Sequence, residues 1–266
     1  MRNSQSQRKS IVLRGLWAAL VIVAQFVVAG PYAPAAGQRT TTAIYKDSAA
    51  YFEWASGYTN MIRGPQQIGP TSGTPASFGE VSNALGKATG DSYGVVSLGD
   101  GGSLTLTFDK PIRNGEGWDF AVFENGFSDT FLELGFVEVS SDGVHFERFN
   151  NSSLSSTNAQ IGGFGSVDTT NVRGLAGKYR QGYGQPFDLD ELAGRPGLNV
   201  NAITHVRIVD VVGCIQDAYA TRDSDGRKVN DPWPTAFSTG GFDLDAVGVF
   251  NAVGSVNLAN HKPWGQ

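Results

Sequence analysis

The sequence has little cysteine, histidine or charge, and each shortage excludes a class of protein. Cys214 is the only cysteine, so no disulfide can form within the chain. Three histidines leave little material for a histidine-built metal site. Charged residues make up 17% of the chain and the net charge is −5, which argues against nucleic acid as a partner. No G-x-S-x-G, H-E-x-x-H or Cys–His nucleophile pattern occurs, so no catalytic residue is assigned.

The first 36 residues have the pattern of an export signal. A basic start precedes an almost wholly apolar segment at residues 15–30, and small-residue sites follow near its end. This pattern predicts a secretory signal peptide over residues 1–36. A retained membrane anchor is the alternative, but the apolar run is short for a span. No second apolar run follows, so we expect a secreted protein (periplasmic, cell-surface or extracellular) with no membrane span in the mature chain.

The chain is rich in glycine, with 35 residues, and in short segments that alternate apolar and polar side chains. This composition favours strands and turns over long helices. Residues 93–98 and 103–108 flank a Gly-Asp-Gly-Gly turn and predict a hairpin. Residues 131–140 and 144–149, joined through Asp-Gly, predict a second hairpin.

Two further segments, residues 118–124 and 203–212, are apolar enough to predict central strands. Strands separated by turns and some long loops indicate one all-β domain, an antiparallel β-sandwich or jelly roll. We place this domain at residues 37–252 and expect a short polar tail at residues 253–266. The long loops are where a functional site is expected.

The strand at residues 240–250, GGFDLDAVGVF, carries two acidic residues on one face. Strict alternation places Asp243 and Asp245 together, about 6–7 Å apart, opposite an apolar face that runs from Phe242 to Phe250. Two carboxylates on a buried strand are costly unless a cation neutralises them, and calcium binds through such oxygens. The alternative is that both carboxylates lie at the sheet's rim or accept hydrogen bonds from loop amides.

Two further carboxylates, Glu124 and Asp210, fall on apolar faces of the predicted central strands. With Asp243, Asp245 and carbonyl oxygens of residues 83–100, they form a ligand set of the kind that calcium uses. The same carboxylates allow a glycoside hydrolase in which Glu124 works with Asp210 or Asp245. The alternative is a set of separate carboxylates, each bonded to backbone amides.

A group of aromatic and basic residues suggests a ligand platform. Tyr179, Arg180, Tyr183 and Trp233 lie in predicted loops. Aromatic rings stack on sugars and flat heterocycles, and arginine supplies directed hydrogen bonds, so these four residues predict a ligand-binding site. The alternative is that the aromatic rings pack as lids over the edge of the sandwich.

Several motifs carry a resemblance to a known family: NALG, VSLGDGGSLTLTF, DFAVFENGF, FVEVSSDGVHF, GLAGKYRQGYGQPFDL, DPWPT and STGGFDLDAVGV. They resemble secreted bacterial cell-surface proteins, many of which carry a C-terminal sorting signal of the PEP-CTERM or type IX kind; no such signal is expected here. The motif order is similar, more loosely, to galactose-binding-like jelly-roll carbohydrate-binding modules. That resemblance implies a structural calcium held by an acidic residue of the last strand, Asp243 or Asp245.

These observations predict an exported binding module that is stabilised by a structural Ca²⁺ and binds a carbohydrate or another small ring-bearing ligand. One alternative is a structural or matrix surface protein without a small ligand. A second is a surface capture protein that feeds nutrient uptake, and a third is a glycoside hydrolase. The sequence leaves the identity of the ligand and the oligomeric state open.

Overall fold

The computed structural model describes residues 29–69 and 73–255, where the regular structure is almost entirely β. Three 3-10 helices lie at Val81–Ala84, Thr169–Asn171 and Leu189–Leu192. No helix in this part of the chain has the length and apolar character needed to cross a membrane. The strands are β1 (Ile44–Tyr45), β2 (Glu53–Trp54), β3 (Gly57–Ile62), β4 (Val96–Ser97), β5 (Ser103–Ile112), β6 (Phe120–Glu124), β7 (Gly135–Ser140), β8 (Glu147–Arg148), β9 (Ser152–Ser153), β10 (Val172–Arg173), β11 (Tyr183–Phe187), β12 (Ile203–Asp210) and β13 (Asp243–Val249).

Two antiparallel sheets form a sandwich. The first sheet has the order β1-β11-β6-β13-β2, and β4 also pairs with β13. The second sheet has the order β3-β5-β12-β7-β8, while β9 and β10 form a separate two-stranded ribbon. The prediction of an all-β antiparallel sandwich is confirmed. Strands β6, β12 and β13 lie centrally, as their apolar faces predicted.

The main core lies between the two sheets because alternate side chains of both sheets point inward. The second sheet supplies aliphatic residues from β5, β7 and β12, and the first supplies aromatic and aliphatic residues from β6, β11 and β13. The central members of this core are Leu104, Leu106, Val137, Val139, Val206, Ile208, Phe120, Val122, Phe187, Leu244, Val247 and Val249.

A β-bulge at Asp245 interrupts the pairing of β13 with β6. Leu244 pairs with Glu124, but Ala246 pairs with the preceding residue of β6, Phe123. Asp245 is therefore the extra residue of the bulge and has no partner in β6. Bulges increase local twist and redirect side chains, and here the bulge lies where the acidic end of the strand meets its apolar end.

The bulge corrects the prediction of strict alternation over residues 242–250. Leu244 packs in the core between the sheets, and so does Val247, three residues later. Ala246 packs instead on the outer face of the first sheet. Alternation from Phe242 therefore holds only as far as Leu244, because one extra residue exchanges the two faces of everything that follows.

Strand β4 does not pair with β5, so the predicted hairpin between residues 93–98 and 103–108 is wrong. Val96 and Ser97 pair with the start of β13, whereas β5 pairs with β3 and β12 in the other sheet. The intervening glycines therefore carry the chain from one sheet to the other. The amide of Gly99 donates to the carbonyl oxygen of Gly240 at 3.0 Å, which ties this crossover to the loop before β13.

The second predicted hairpin is confirmed, with a shorter first strand. Glu138 of β7 faces Arg148 of β8, but β7 begins at Gly135 rather than at Phe131. The residues before Gly135 form a loop in which the amide of Leu134 donates to the carboxylate of Asp231 at 2.9 Å. The Leu134 amide is bonded to this side chain and not to a neighbouring strand. The strand β7 therefore does not extend back through the alternating residues before Gly135.

Long loops form a second core against β7. Residues from the segments before β7, between β9 and β11, and after β12 pack together: Leu132, Leu134, Phe136, Val167, Val172, Leu175, Val211 and Val229. These loops carry apolar side chains because they cover a sheet face that would otherwise be exposed. The loop segments are therefore held in place by burial, and they determine where the side chains at their tips lie.

The described chain begins before the predicted domain boundary at residue 37. The amide of Gly30 donates to the hydroxyl of Thr170 at 2.7 Å, and that of Tyr32 donates to the Thr170 carbonyl oxygen at 3.0 Å. Ala35 and Ala36 are buried. Residues 30–36 thus pack on the sandwich. Most of the predicted signal peptide (residues 1–28) and most of the predicted tail (residues 256–266) lie outside the described residues.

Candidate functional site

Asp210 is a buried anchor for two backbone segments. Its Oδ2 accepts a hydrogen bond from the amide of Gly101 at 2.8 Å, and its Oδ1 accepts one from the amide of Phe242 at 2.7 Å. Burial raises the pKa of Asp210 well above its ordinary value, and the nearby Asp100 charge adds to the shift. Asp210 therefore joins the crossover before β5 to the start of β13.

Asp245 has a similar role at another loop. Its Oδ1 accepts hydrogen bonds from the amide and hydroxyl of Thr89 at 2.8 and 3.1 Å, and its Oδ2 accepts one from the amide of Gly90 at 2.9 Å. Burial raises the pKa of this carboxyl group. Both oxygens of Asp245 are thus used to hold the loop before β4.

Glu124 and Asp243 are neighbours at the adjoining ends of β6 and β13. The Oε2 atom of Glu124 accepts a hydrogen bond from the amide of Gly126 at 2.7 Å. Its Oε1 atom is buried and has no hydrogen-bond partner among the described residues. Burial raises the pKa of Glu124 well above its ordinary value, and the Asp243 charge adds to the shift.

The four predicted calcium ligands therefore divide into two kinds. Both carboxylate oxygens of Asp210 and of Asp245 accept hydrogen bonds from backbone amides, whereas Glu124 has one oxygen without a partner among the described residues and lies beside Asp243. Within residues 29–69 and 73–255, no three His, Cys, Asp or Glu side chains are grouped so as to hold a metal ion. Calcium binding stays a prediction.

Of the predicted ligand platform, the structure brings Arg180 and Tyr183 together. The Arg180 guanidinium lies 5.0 Å from the centroid of the half-buried Tyr183 ring, which in turn lies 5.3 Å from the Tyr45 ring. Tyr179 is 1% exposed, and its hydroxyl group is 2.7 Å from that of Thr42. Tyr179 is therefore a core residue whose ring face is closed to a ligand.

Trp233, the fourth platform residue, lies apart from the other three. Its Nε1 atom donates a hydrogen bond to Oδ2 of Asp100 at 3.1 Å, and its amide donates to the carbonyl oxygen of Ile161 at 3.0 Å. Among the described residues, no ring contact joins Trp233 to Tyr183. The four residues therefore do not form one surface.

A different set of aromatic residues does form a surface. Four phenylalanines from three loops line one cleft: Phe127, Phe131, Phe164 and Phe237. Their ring centroids follow one another at 5.4, 6.1 and 5.8 Å, and the first two contacts are stacked. Phe164 is 78% exposed and Phe127 is 61% exposed. A contiguous exposed aromatic patch of this kind is typical of a binding surface.

Polar side chains share this cleft with the rings. Carboxylate, amide and hydroxyl groups line it from four segments: Ser92, Asn125, Glu133, Thr235, Thr239 and Asp243. We call the four rings and these six polar residues the phenylalanine cleft. Its enclosed volume is only about 90 Å³, so a ligand would lie across the rings rather than inside a chamber.

Two carboxyl groups in the phenylalanine cleft have raised pKa values. Asp243 is buried, which raises its pKa to about 7, although hydrogen bonds from Ser97 and Asn125 oppose the shift. Burial also raises the pKa of Glu133 well above its ordinary value, and the Asp243 charge adds to this effect. Glu133 makes no side-chain hydrogen bond or ion pair with any described residue, so its carboxyl group is free to meet a ligand.

The predicted platform segment supports this cleft from the side. The amide of Gln181 donates to the carbonyl oxygen of Gly126 at 2.9 Å, and the Ser92 hydroxyl donates to the Gln181 side-chain oxygen at 3.1 Å. Arg180 donates to Asp129 at 2.5 Å. These bonds hold the loop that carries Phe127, so residues 180–183 act as a support for the aromatic surface.

The phenylalanines and Glu133 were missed by sequence reasoning. Phe131 and Glu133 fall in the alternating segment FLELGFVEVS, which predicts a strand, and nothing in that segment marks them as site residues. The available signal was the density of phenylalanine in glycine- and serine-rich segments, as in ENGFSDTF and GGFGS. Exposed loops rarely carry so many large apolar rings without a binding role.

No protein family and no curated protein matches this chain. The geometry and the chemistry of the phenylalanine cleft are therefore the basis for inferring a function.

Proposed function

We propose that the protein is an exported binding module that holds a carbohydrate in the phenylalanine cleft. The observation that carries the proposal is the combination of four contiguous rings with carboxylate, amide and hydroxyl groups in one open groove. The C–H face of a sugar ring packs on aromatic rings, and its hydroxyl groups donate to carboxylate and amide oxygens. Export is supported by the basic and apolar N-terminal sequence.

The ligand site is proposed here rather than at Tyr179, Tyr183 and Trp233 because the phenylalanine cleft brings four rings together, whereas Tyr179 is buried and Trp233 makes no ring contact with Tyr183 among the described residues. A structural Ca²⁺ remains part of the prediction. The three loops that carry the rings are held by buried apolar side chains and by Asp231, so the surface is largely preformed. A preformed surface loses little conformational entropy when a ligand binds.

The test is a glycan-binding screen of the purified protein, followed by calorimetry with the best oligosaccharide. Phe164→Ala and Phe127→Ala each remove an exposed ring, so we expect weaker binding by roughly 0.5–1.5 kcal/mol, or about two- to twelvefold. Phe52→Ala is the matched control, because Phe52 is 42% exposed and lies outside the cleft. Absence of glycan binding, or equal affinity in all three variants, contradicts the proposal.

Glycoside hydrolysis is a second candidate, favoured by one observation. Glu133 and Asp243 line the same cleft, interact electrostatically and both have raised pKa values. Paired carboxyl groups with raised pKa values supply the general acid of glycosidases. Glu133 and Asp243 thus take the place of the catalytic pair predicted from the sequence, which was Glu124 with Asp210 or Asp245. Release of reducing ends from the bound glycan, abolished in Glu133→Gln with binding retained, would establish hydrolysis.

A further inference from the structure

Residues 30–36, which follow the apolar N-terminal run, are bonded to β9 and to the loop after it. The amide of Gly30 donates to the Thr170 hydroxyl at 2.7 Å. The amide of Tyr32 donates to the Thr170 carbonyl oxygen at 3.0 Å, and its hydroxyl group donates to that of Ser152 at 3.0 Å. This short segment is therefore part of the folded structure.

The same segment supplies one side of a cavity of about 250 Å³. Pro31, Tyr32 and Ala33 line this cavity together with two buried rings of the sandwich core, those of Phe149 and Phe187. Loss of the three N-terminal residues would open the lining to water, and exposure of apolar surface is unfavourable. The segment therefore covers part of the core.

Two small-residue sites near the end of the apolar run suit a signal peptidase: Val27-Val28-Ala29 and Ala33-Pro34-Ala35. Ala29 is exposed, whereas Ala35 and Ala36, which flank the second cut, are buried. A cut after Ala35 would remove the three hydrogen bonds and part of the cavity lining, whereas a cut after Ala29 keeps all of them. The folded structure therefore favours the first site.

The place occupied by Gly30 is rich in hydrogen-bond acceptors and has no room for a side chain. A Cβ atom at Gly30 would collide with the Thr170 carbonyl oxygen and with Oδ1 of Asn171. The Thr170 hydroxyl, which accepts from the Gly30 nitrogen, donates to Oδ1 of Asp168 at 2.7 Å. A peptide N–H supplies one hydrogen to these oxygens, whereas an α-ammonium group supplies three and a charge opposite to that of Asp168. The site therefore suits a free N-terminus.

We propose that the mature protein begins at Gly30 and that its α-ammonium group is seated on Thr170 and Asn171. A signal peptidase of the exporting cell adds water across the peptide bond between Ala29 and Gly30. The Ala29 carbonyl group becomes a carboxylate, and the Gly30 nitrogen becomes the ammonium group. The inference rests on export, which is part of the proposed function, but not on glycan binding.

The first experiment expresses the full chain in a Gram-negative host and determines the N-terminal sequence of the exported protein. We expect it to start with Gly30. Ala29→Leu removes the small residue before the cut, so the start at Gly30 should disappear. Ala33→Leu is the matched control, because it alters the second site and should leave the start at Gly30 unchanged. Any other start, an uncut wild-type chain or the reverse effect of the two variants would overturn the proposal.

The second experiment tests the seat of the N-terminus in the same exported protein. The rate at which acetic anhydride acetylates the Gly30 amine is followed by peptide mapping. Thr170→Val keeps the shape of the side chain but removes the hydroxyl group, so we expect this rate to rise about two- to tenfold. Thr59→Val, at an exposed position of β3, is the matched control and should react like the wild type. Equal rates in all three proteins would overturn the seat on Thr170.

The wild-type protein alone also decides the question if Thr170→Val does not fold. Its Gly30 amine should react more slowly in the folded protein than in urea, and equal rates in the two states contradict a seated N-terminus. The outcome is separate from glycan binding. A protein that starts at Gly30 and binds no glycan refutes the proposed ligand only, whereas one that binds a glycan but starts elsewhere refutes this inference only.

Discussion

Asn125 donates a hydrogen bond from Nδ2 to Oδ2 of Asp243 at 3.0 Å, which links the end of β6 to the start of β13 at the base of the phenylalanine cleft. The other carboxylate oxygen of Asp243 accepts from the Ser97 hydroxyl. Both of these partners are neutral, and the positive charge of Arg63 acts only as a weaker influence. Asp243 is therefore a buried acid whose charge is incompletely compensated.

The first prediction concerns the pH dependence of stability. The pKa of Asp243 is about 7 in the folded protein against an ordinary value of 3.8. The unfolded chain thus releases this proton at lower pH than the folded chain, so the free energy of unfolding falls as pH rises from about 4 to about 7. Asp243→Asn removes this dependence. Relative to wild type, we expect the variant to gain stability over that range, on the order of 4 kcal/mol at most.

Thermal melts between pH 4 and pH 8 provide the measurement. The relevant quantity is the change with pH in the difference between the melting temperatures of the two proteins. A hydrogen bond lost in the variant shifts its stability equally at every pH and so does not contribute to this change. Glu116→Gln, at an exposed position, is the control and should parallel the wild type. A pH-independent difference for Asp243→Asn would show that its carboxyl group has an ordinary pKa in the fold.

A second prediction separates the hydrogen-bonding role of Asp245 from calcium binding. Asp245→Ala leaves the amides of Thr89 and Gly90 without their partner, which should cost about 1–3 kcal/mol of stability. Because both carboxylate oxygens already accept hydrogen bonds, we expect the same loss in EDTA and in millimolar calcium. Chemical denaturation in both buffers measures it. A loss confined to the calcium buffer would instead make Asp245 a metal ligand.

The third prediction concerns the backbone beneath Glu133. Gly177 has a φ of +76°, and a Cβ atom there would lie 1.8 Å from the Glu133 carbonyl oxygen. Gly177→Ala must therefore displace this part of the phenylalanine cleft as well as strain its own backbone. We expect lower stability together with weaker glycan binding.

Gly194→Ala is the matched control for this substitution. Gly194 has a φ of +82°, but a Cβ atom there would meet nothing within 4 Å. The control variant carries the backbone strain, roughly 1–2 kcal/mol, without the collision. Equal glycan affinity in the two variants would show that Glu133 is not needed for binding.

A fourth prediction concerns the buried carboxylate of β7. Glu138 accepts hydrogen bonds from Arg148 at 2.7 and 2.9 Å and from Arg207 at 2.6 Å. Glu138→Ala leaves two guanidinium groups close together without their shared anion, so we expect a loss of about 1–3 kcal/mol. Glu147→Ala, on the neighbouring strand, removes no ion pair with a described residue and should cost much less. Similar melting temperatures for the two variants would contradict this assignment.

The sequence by itself determined the fold class and the position of the central strands. Alternating apolar residues in β5, β12 and the first half of β13 are a local pattern, and a pattern with a period of two favours a strand. The burial of Asp210 also followed from this alternation, since Asp210 shares one face of β12 with Val206 and Ile208. The presence of a single cysteine and the absence of the catalytic motifs searched for were likewise readable directly.

Only the tertiary structure decided how these strands pair and which carboxylates meet. The bulge at Asp245 exchanges the faces of β13, and the Gly99 crossover sends β4 and β5 to different sheets. The rings of the phenylalanine cleft come from loops far apart in the chain, positioned by buried contacts of their flanking residues. A local period describes one strand at a time, whereas register, sheet membership and loop position depend on contacts between segments distant in sequence.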